Sequence, residues 1–198
     1  TDCGYLNLAS LNLAGNYMVS IYAVKDENRG EEVSAQLTFM SSFDSVVLEA
    51  EQGLQNYNCY RGNEFAHGGA YVGGIDNAGQ GVLFNVFSYF SGKFEFDCYY
   101  TTDAINSENY IYVNGEKQGK FVYTEKTGWG SVQAYNSAKS TSEIVLEKGW
   151  NIIAVIKDGT AENDWGGWAE LHYFVLKGKG KEYNIDGFAE YDLQDAPG

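Results

Sequence analysis

The sequence predicts an all-β protein: a β-sandwich of the jelly-roll kind, with an extra N-terminal strand segment. Three observations carry this. Apolar and polar residues alternate with the period of a strand over many short stretches. The gaps between those stretches carry Gly, Asn or Asp, and the chain has 24 glycines but a single proline, Pro197. Strand-forming aromatics are abundant, with 16 Tyr, 11 Phe and 4 Trp among 198 residues. No segment keeps a 3.6-residue period over three turns, so no long helix is expected.

Taken in order, residues 1–42 read as two or three strands with a turn near "DENRG". Their "L-x-L-x-G-x-Y-x-V-x-I-x-A-V" string resembles the tyrosine corner and following strand of fibronectin type III and immunoglobulin-like domains, with Tyr17 at the corner. Such a domain needs about 90–100 residues, so the segment is expected to be either the tail of a preceding domain or an extension of the main sandwich. "SSFDS", 41–45, is the expected joint, residues 43–180 the sandwich, and 181–198 an acidic tail. "VVLEAEQG", 46–53, reads as the first strand of the sandwich. "GVLFNVFS" sets Val82, Phe84 and Val86 on one face, and "GKFEFDCYY" sets Phe94, Phe96, Cys98 and Tyr100 on one face. "NYIYVNGEKQGKFVY" reads as a hairpin turning through "NGEKQG". "STSEIVLEKGWNIIAVIKDG" reads as a strand pair about a Lys-Gly turn, with Trp150 in the core, and "AELHYFVLKG" as the last strand.

The formal charge is −14. Nucleic acid and anionic membrane both require a positive field, so neither is an expected partner. No apolar run approaches the roughly 20 residues of a membrane-spanning helix. Cys3, Cys59 and Cys98 match no zinc spacing. Cys98 reads as a core thiol, and Cys59 could pair with Cys3. There is no nucleophile elbow, HExxH, P-loop or dinucleotide fingerprint.

From residue 46 to about 176 the chain resembles carbohydrate-binding modules of families 6 and 35. The resemblance rests on an ordered set: "LEAEQG", "GGAYVGGIDNAGQGVLFNV", "GKFEFDCYY", "IYVNGEKQGKFVY", "TGWGSVQ", "LEKGWNIIAV" and "ELHYFVL". It implies a jelly roll, a structural calcium near the first strand and a sugar site in loops at one end. It also implies a non-catalytic module linked to a secreted or cell-surface enzyme that degrades polysaccharides.

Glu49 and Glu51 are the expected metal ligands: two hard oxygen donors whose repulsion calcium would cancel. On a strand they would share a face about 6.6–6.8 Å apart. They could not then flank a scissile glycosidic bond, so no catalytic residue is expected. The family's last strand usually supplies an aspartate where this chain has His172. For the sugar, the expected platforms are Trp129 in "TGWGS" and Trp165 and Trp168 in "ENDWGGW", since a flat ring exposed beside glycines can stack on a pyranose. Asn163, Asp164 and Glu170 are expected to bond hydroxyls, with Tyr60 and Arg61 contributing from the loop 54–69 that also holds Tyr57 and His67. The family often has an asparagine where Glu170 falls. Two rival readings are a structural or adhesive sandwich without a sugar site, and a fragment of a larger carbohydrate-active enzyme such as a jelly-roll lyase.

Overall fold

The computed structural model describes residues 13–25, 28–40, 45–56, 60–129, 138–158, 167–179, 182–183 and 190–191. Two sheets face each other across one core, as expected. The first runs in the order β1 (Gly15–Lys25), β2 (Asn28–Met40), β7 (Gly81–Ser88), β12 (Gly149–Ile156), β9 (Ser107–Val113) and β10 (Glu116–Tyr123), with β4 (Leu54–Gln55) also on β7. The second runs β11 (Ala138–Leu146), β8 (Gly92–Thr101), β13 (Glu170–Gly178), β6 (Ala70–Val72) and β5 (Tyr60–Gly62), with β3 (Ser45–Glu49) also on β13. A small separate pairing joins β14 (Glu182–Tyr183) to β15 (Glu190–Tyr191). Among the described residues the only helical turns are short 3-10 turns at Ala50–Gln52 and His67–Gly69, and no helix is long and apolar enough to cross a membrane.

Period-2 alternation places the core. Val82, Phe84 and Val86 of β7 meet Phe94, Phe96, Cys98 and Tyr100 of β8, and Phe174 of β13 stacks on Phe96 at 5.3 Å. Cys98 is fully buried as a small apolar group, and burial pushes its thiol pKa well up. Native protein is therefore expected to leave Cys98 unreactive toward a thiol reagent, with labelling only after unfolding. Mass spectrometry of labelled peptides checks this. Cys3 and Cys59 lie outside the described residues.

Four sequence expectations need correction. The β9–β10 turn is only Asn114-Gly115, both left-handed (φ 53° and 86°), the two-residue type that matches strand twist, so "EKQG" already belongs to β10. β11 and β12 are not a hairpin. β11 pairs with β8 and β12 with β7 and β9, so the chain crosses between sheets at Glu147–Lys148. There Asn151 accepts from the Glu147 N–H and donates to its carbonyl, fixing the corner. Trp150 is not core but 50% exposed on the outer face of the first sheet, packed edge-on against Phe39 and Phe87. Finally, the first strand stops at Glu49, and Glu51 sits in the 3-10 turn that follows.

The N-terminal hairpin joins the first sheet only at its base. Thr38, Phe39 and Met40 pair in parallel with Val86, Phe87 and Ser88, and Met40 reaches the core. On the opposite side of the sandwich, side chains close the gap between β10 and β11. Gln118 accepts from the Val145 N–H and donates to its carbonyl, and Ser140 does the same for Val122. These bonds satisfy edges that would otherwise offer free backbone groups.

Candidate functional site

At one end of the sandwich the loops enclose a cleft lined by Gly74, Ile75, Asp76, Trp129, Trp168, Ala169 and Glu170. Three residues expected from the sequence therefore meet: Trp129, Trp168 and Glu170. Trp129 is 44% exposed. A single buried residue, Thr102, ties both ring-bearing loops. Its carbonyl accepts from the Thr127 and Gly128 N–H groups, its N–H donates to Thr127 Oγ1, and its hydroxyl donates to the Trp168 carbonyl at 2.6 Å. Gly128 and Gly167 each hold a left-handed φ beside a tryptophan, so the loops can turn tightly and present the rings.

Glu170 is oriented by a chain of donors. Thr101 Oγ1 donates to Glu170 Oε2 at 2.8 Å, so the hydroxyl is left to accept from His172 Nε2–H at 3.1 Å. Burial and the nearby His67 lower the His172 pKa to about 4, so the ring is neutral at pH 7. Burial and the Glu170 carboxylate raise the Tyr71 phenol, which hydrogen-bonds Glu170. Arg61 leans over Gly74: a Cβ there would stand 3.0 Å from Nη2 and 3.9 Å from an Asp76 carboxylate oxygen. Arg61 thus belongs to the cleft rim, while Tyr60 is exposed on the edge strand β5 and does not line the cleft. Asn163, Asp164 and Trp165 lie outside the described residues, as does Tyr57. Ile75 and Asp76 escaped the sequence reading because "GGIDNAG" signals only a turn.

The second cluster lies beside β3. Glu49 and Glu51 converge on Gly68, whose φ is +71°. A Cβ there would come within 2.9 Å of Glu49 Oε2 and 2.5 Å of Glu51 Oε1. Glu49 Oε2 and both Glu51 oxygens are buried without a hydrogen-bond partner in the structure. Burial, with Glu49 nearby, raises the Glu51 pKa to about 7. His67 Nδ1 lies 2.7 Å from Glu49 Oε1, and the His67 ring packs on Tyr173. The sequence offered no signal for His67, because "FAHGG" has no ligand spacing.

Three orphaned carboxylate oxygens around a glycine that leaves room for them fit a hard cation. His172 bonds Thr101 through Nε2 and keeps Nδ1 buried without a hydrogen-bond partner, but an imidazole is a poor donor to a hard cation that prefers oxygen. Among the described residues no group of three or more His, Cys, Asp or Glu could hold a metal, so peptide carbonyls and water would have to complete the shell.

No protein-family model matches the chain. It is 28% identical over 133 residues to an isomaltosyltransferase of Sporosarcina globispora, covering 67% of this chain but only 12% of that protein. Among solved structures, a family 35 carbohydrate-binding module from Clostridium thermocellum superposes with a TM-score of 0.55 at 21% identity, over 67% of this chain and 97% of the module. The chain has the fold of that module. A cycloisomaltooligosaccharide glucanotransferase from Paenibacillus sp., solved with cycloisomaltoheptaose, matches with a TM-score of 0.53 at 16% identity, over 69% of this chain and 18% of the enzyme.

Proposed function

We propose that this chain is a non-catalytic carbohydrate-binding module that holds a poly- or oligosaccharide in the Trp129–Trp168 cleft. The observation that carries the reading is the meeting of two tryptophans with Glu170 and Asp76 in one open cleft at a loop end of the sandwich, with Arg61 Nη2 beside Gly74 at its edge. A ring stacks on the apolar face of a sugar, and carboxylates and a guanidinium bond its hydroxyls. The module fold supports this reading. The names of two relatives make an isomalto-oligosaccharide the first ligand to test. Residues 163–165 and Tyr60 are proposed as further contacts toward longer chains. The module would serve a secreted or cell-surface enzyme acting on polysaccharide.

Calcium is proposed as a structural ion held by Glu49 and Glu51. Its charge would offset the mutual repulsion of two buried carboxylates.

Isothermal titration and affinity electrophoresis against a glycan panel test the proposal. Micromolar-to-millimolar binding of at least one neutral glycan is expected, weak because few sugars bury little area. Retention by no glycan would support a purely structural sandwich, and turnover of a polysaccharide would support an enzyme fragment. Thr102→Val removes the hydroxyl bond to the Trp168 carbonyl and also leaves the Ala104 N–H without its Thr102 Oγ1 acceptor. It is expected to cost about 1 kcal/mol of stability and to weaken glycan binding several-fold, read from melting curves and titration together.

A further inference from the structure

We infer that the β1–β2 hairpin is half of a second sandwich, and that a further β-sheet of immunoglobulin-like type covers its apolar face and its free edge. The cross-strand register sorts the hairpin into two unlike faces. Tyr17 opposes Leu37, Val19 opposes Ala35 and Ile21 opposes Val33 on one side. The other side pairs Asn16 with Thr38, Met18 with Gln36, Ser20 with Ser34 and Tyr22 with Glu32; there Ser20 and Ser34 hydroxyls bond at 2.6 Å and Arg29 lies over the Tyr22 ring. A sheet with one apolar and one polar face is built to be covered on the apolar one. Yet Ile21 is 70% and Val33 69% exposed. A two-stranded hairpin alone is marginal in water.

The edge gives the same indication. Among the described residues β1 ends the first sheet, and from Gly15 to Val24 it carries no charged residue and no proline. Uncovered edges in folded proteins normally carry such guards. A third observation names the kind of sheet. Tyr17 Oη donates to the Ala14 carbonyl three residues upstream, at 3.0 Å. Such a bond from a tyrosine near a strand's start is the corner of immunoglobulin-like sandwiches.

A sugar does not suit this face, because no hydroxyl or amide other than the committed Tyr17 hydroxyl interrupts its opposed apolar pairs. A second copy suits it less well than another sheet. Pairing β1 with β1 would leave both apolar faces open, and packing face on face would leave both edges open. The −14 charge also opposes self-association. A sandwich supplies both a neighbouring strand and a facing sheet.

Hydrogen exchange tests this on the 198-residue chain and on a longer product of the same gene that includes the sequence ahead of the hairpin. In the 198-residue chain, amides of β1 and outer β2 are expected to exchange at least 100-fold faster than those of β8 and β13. The chain should sediment as a monomer, and Ile21→Lys with Val33→Lys should leave the main melting transition unchanged. In the longer product the same amides become protected. Three outcomes would overturn the inference: a monomer of 198 residues that already protects β1, a concentration-dependent dimer that protects it, or a longer product (or a gene with no β-rich sequence there) that leaves it exposed.

Discussion

Trp129→Ala is expected to weaken glycan binding by about 5- to 150-fold while leaving the melting temperature essentially unchanged. Stacking of a flat ligand on an exposed aromatic ring is worth roughly 1–3 kcal/mol where it has been measured on nucleic-acid bases, and each 1.4 kcal/mol is about tenfold in affinity. Trp129 is almost half exposed, so its loss creates no core cavity. Titration and thermal melting on the same sample separate the two effects. A variant that loses binding and stability together would mean the ring holds the loop rather than the ligand. Trp168 is less suited to this test, because its ring is more deeply set than that of Trp129.

Calcium is expected to raise the melting temperature by about 5–10 °C at one hundred times its dissociation constant, since such saturation is worth about 2.7 kcal/mol and a domain of this size shifts about 2–4 °C per kcal/mol. Without the ion, stability should depend on pH with a definite sign. The Glu51 pKa rises from 4.5 to about 7 on folding. The folded state therefore binds a proton more tightly than the unfolded state. The associated stability is fully present below pH 4.5 and is lost as pH climbs through 7. After allowance for solvent screening, the loss is on the order of 1 kcal/mol. Bound calcium replaces the proton and should flatten this slope, and Glu51→Gln should flatten it in chelator too. Melting curves from pH 4 to 8, with calcium and with chelator, give the comparison. Equal curves in both, with no gain from calcium at pH 8, would leave the cluster as a carboxylate–histidine contact and nothing more.

The sheets were legible because the sandwich core obeys the simplest rule available. Every second residue of 82–86 and 94–100 is apolar or aromatic, and all of them are buried. Sequence neighbourhood was a poorer guide to pairing. The stretch 140–159 reads as a strand pair about a Lys-Gly turn, yet its two strands lie in opposite sheets, because a corner fixed by Asn151 and a Gly turn look alike in one dimension. Trp150 was misplaced for a related reason. Alternation says which residues share a face but not which face is inside, and β12 turns Asn151, Ile153 and Val155 inward. In the cleft, Trp129, Trp168 and Glu170 were visible as glycine-flanked rings and a nearby acid. The anchoring role of Thr102 was not, because it depends on contacts 25 and 66 residues apart, and neither was Asp76, which only the folded chain brings beside Trp129 and Trp168. Glu49 and Glu51 do approach each other, but not as neighbours on one strand face. A 3-10 turn, not a continuous strand, brings them together over Gly68.

The position of β13 carries a consequence for synthesis. This strand lies between β8 on one side and β3 with β6 on the other, so Lys177 pairs with both Glu95 and Ser45. On a ribosome, β3 emerges early and has no strand partner until about 130 residues later. β5 can pair with β6, and β8 with β11, before β13 is made. These pieces and β3 join into one sheet only once β13 has left the exit tunnel. Pairings this distant belong to slow folders, in the range of roughly milliseconds to seconds. During translation Val46 and Leu48 are therefore the apolar groups that most need shielding, and a truncation before Glu170 should yield an insoluble product rather than a smaller module.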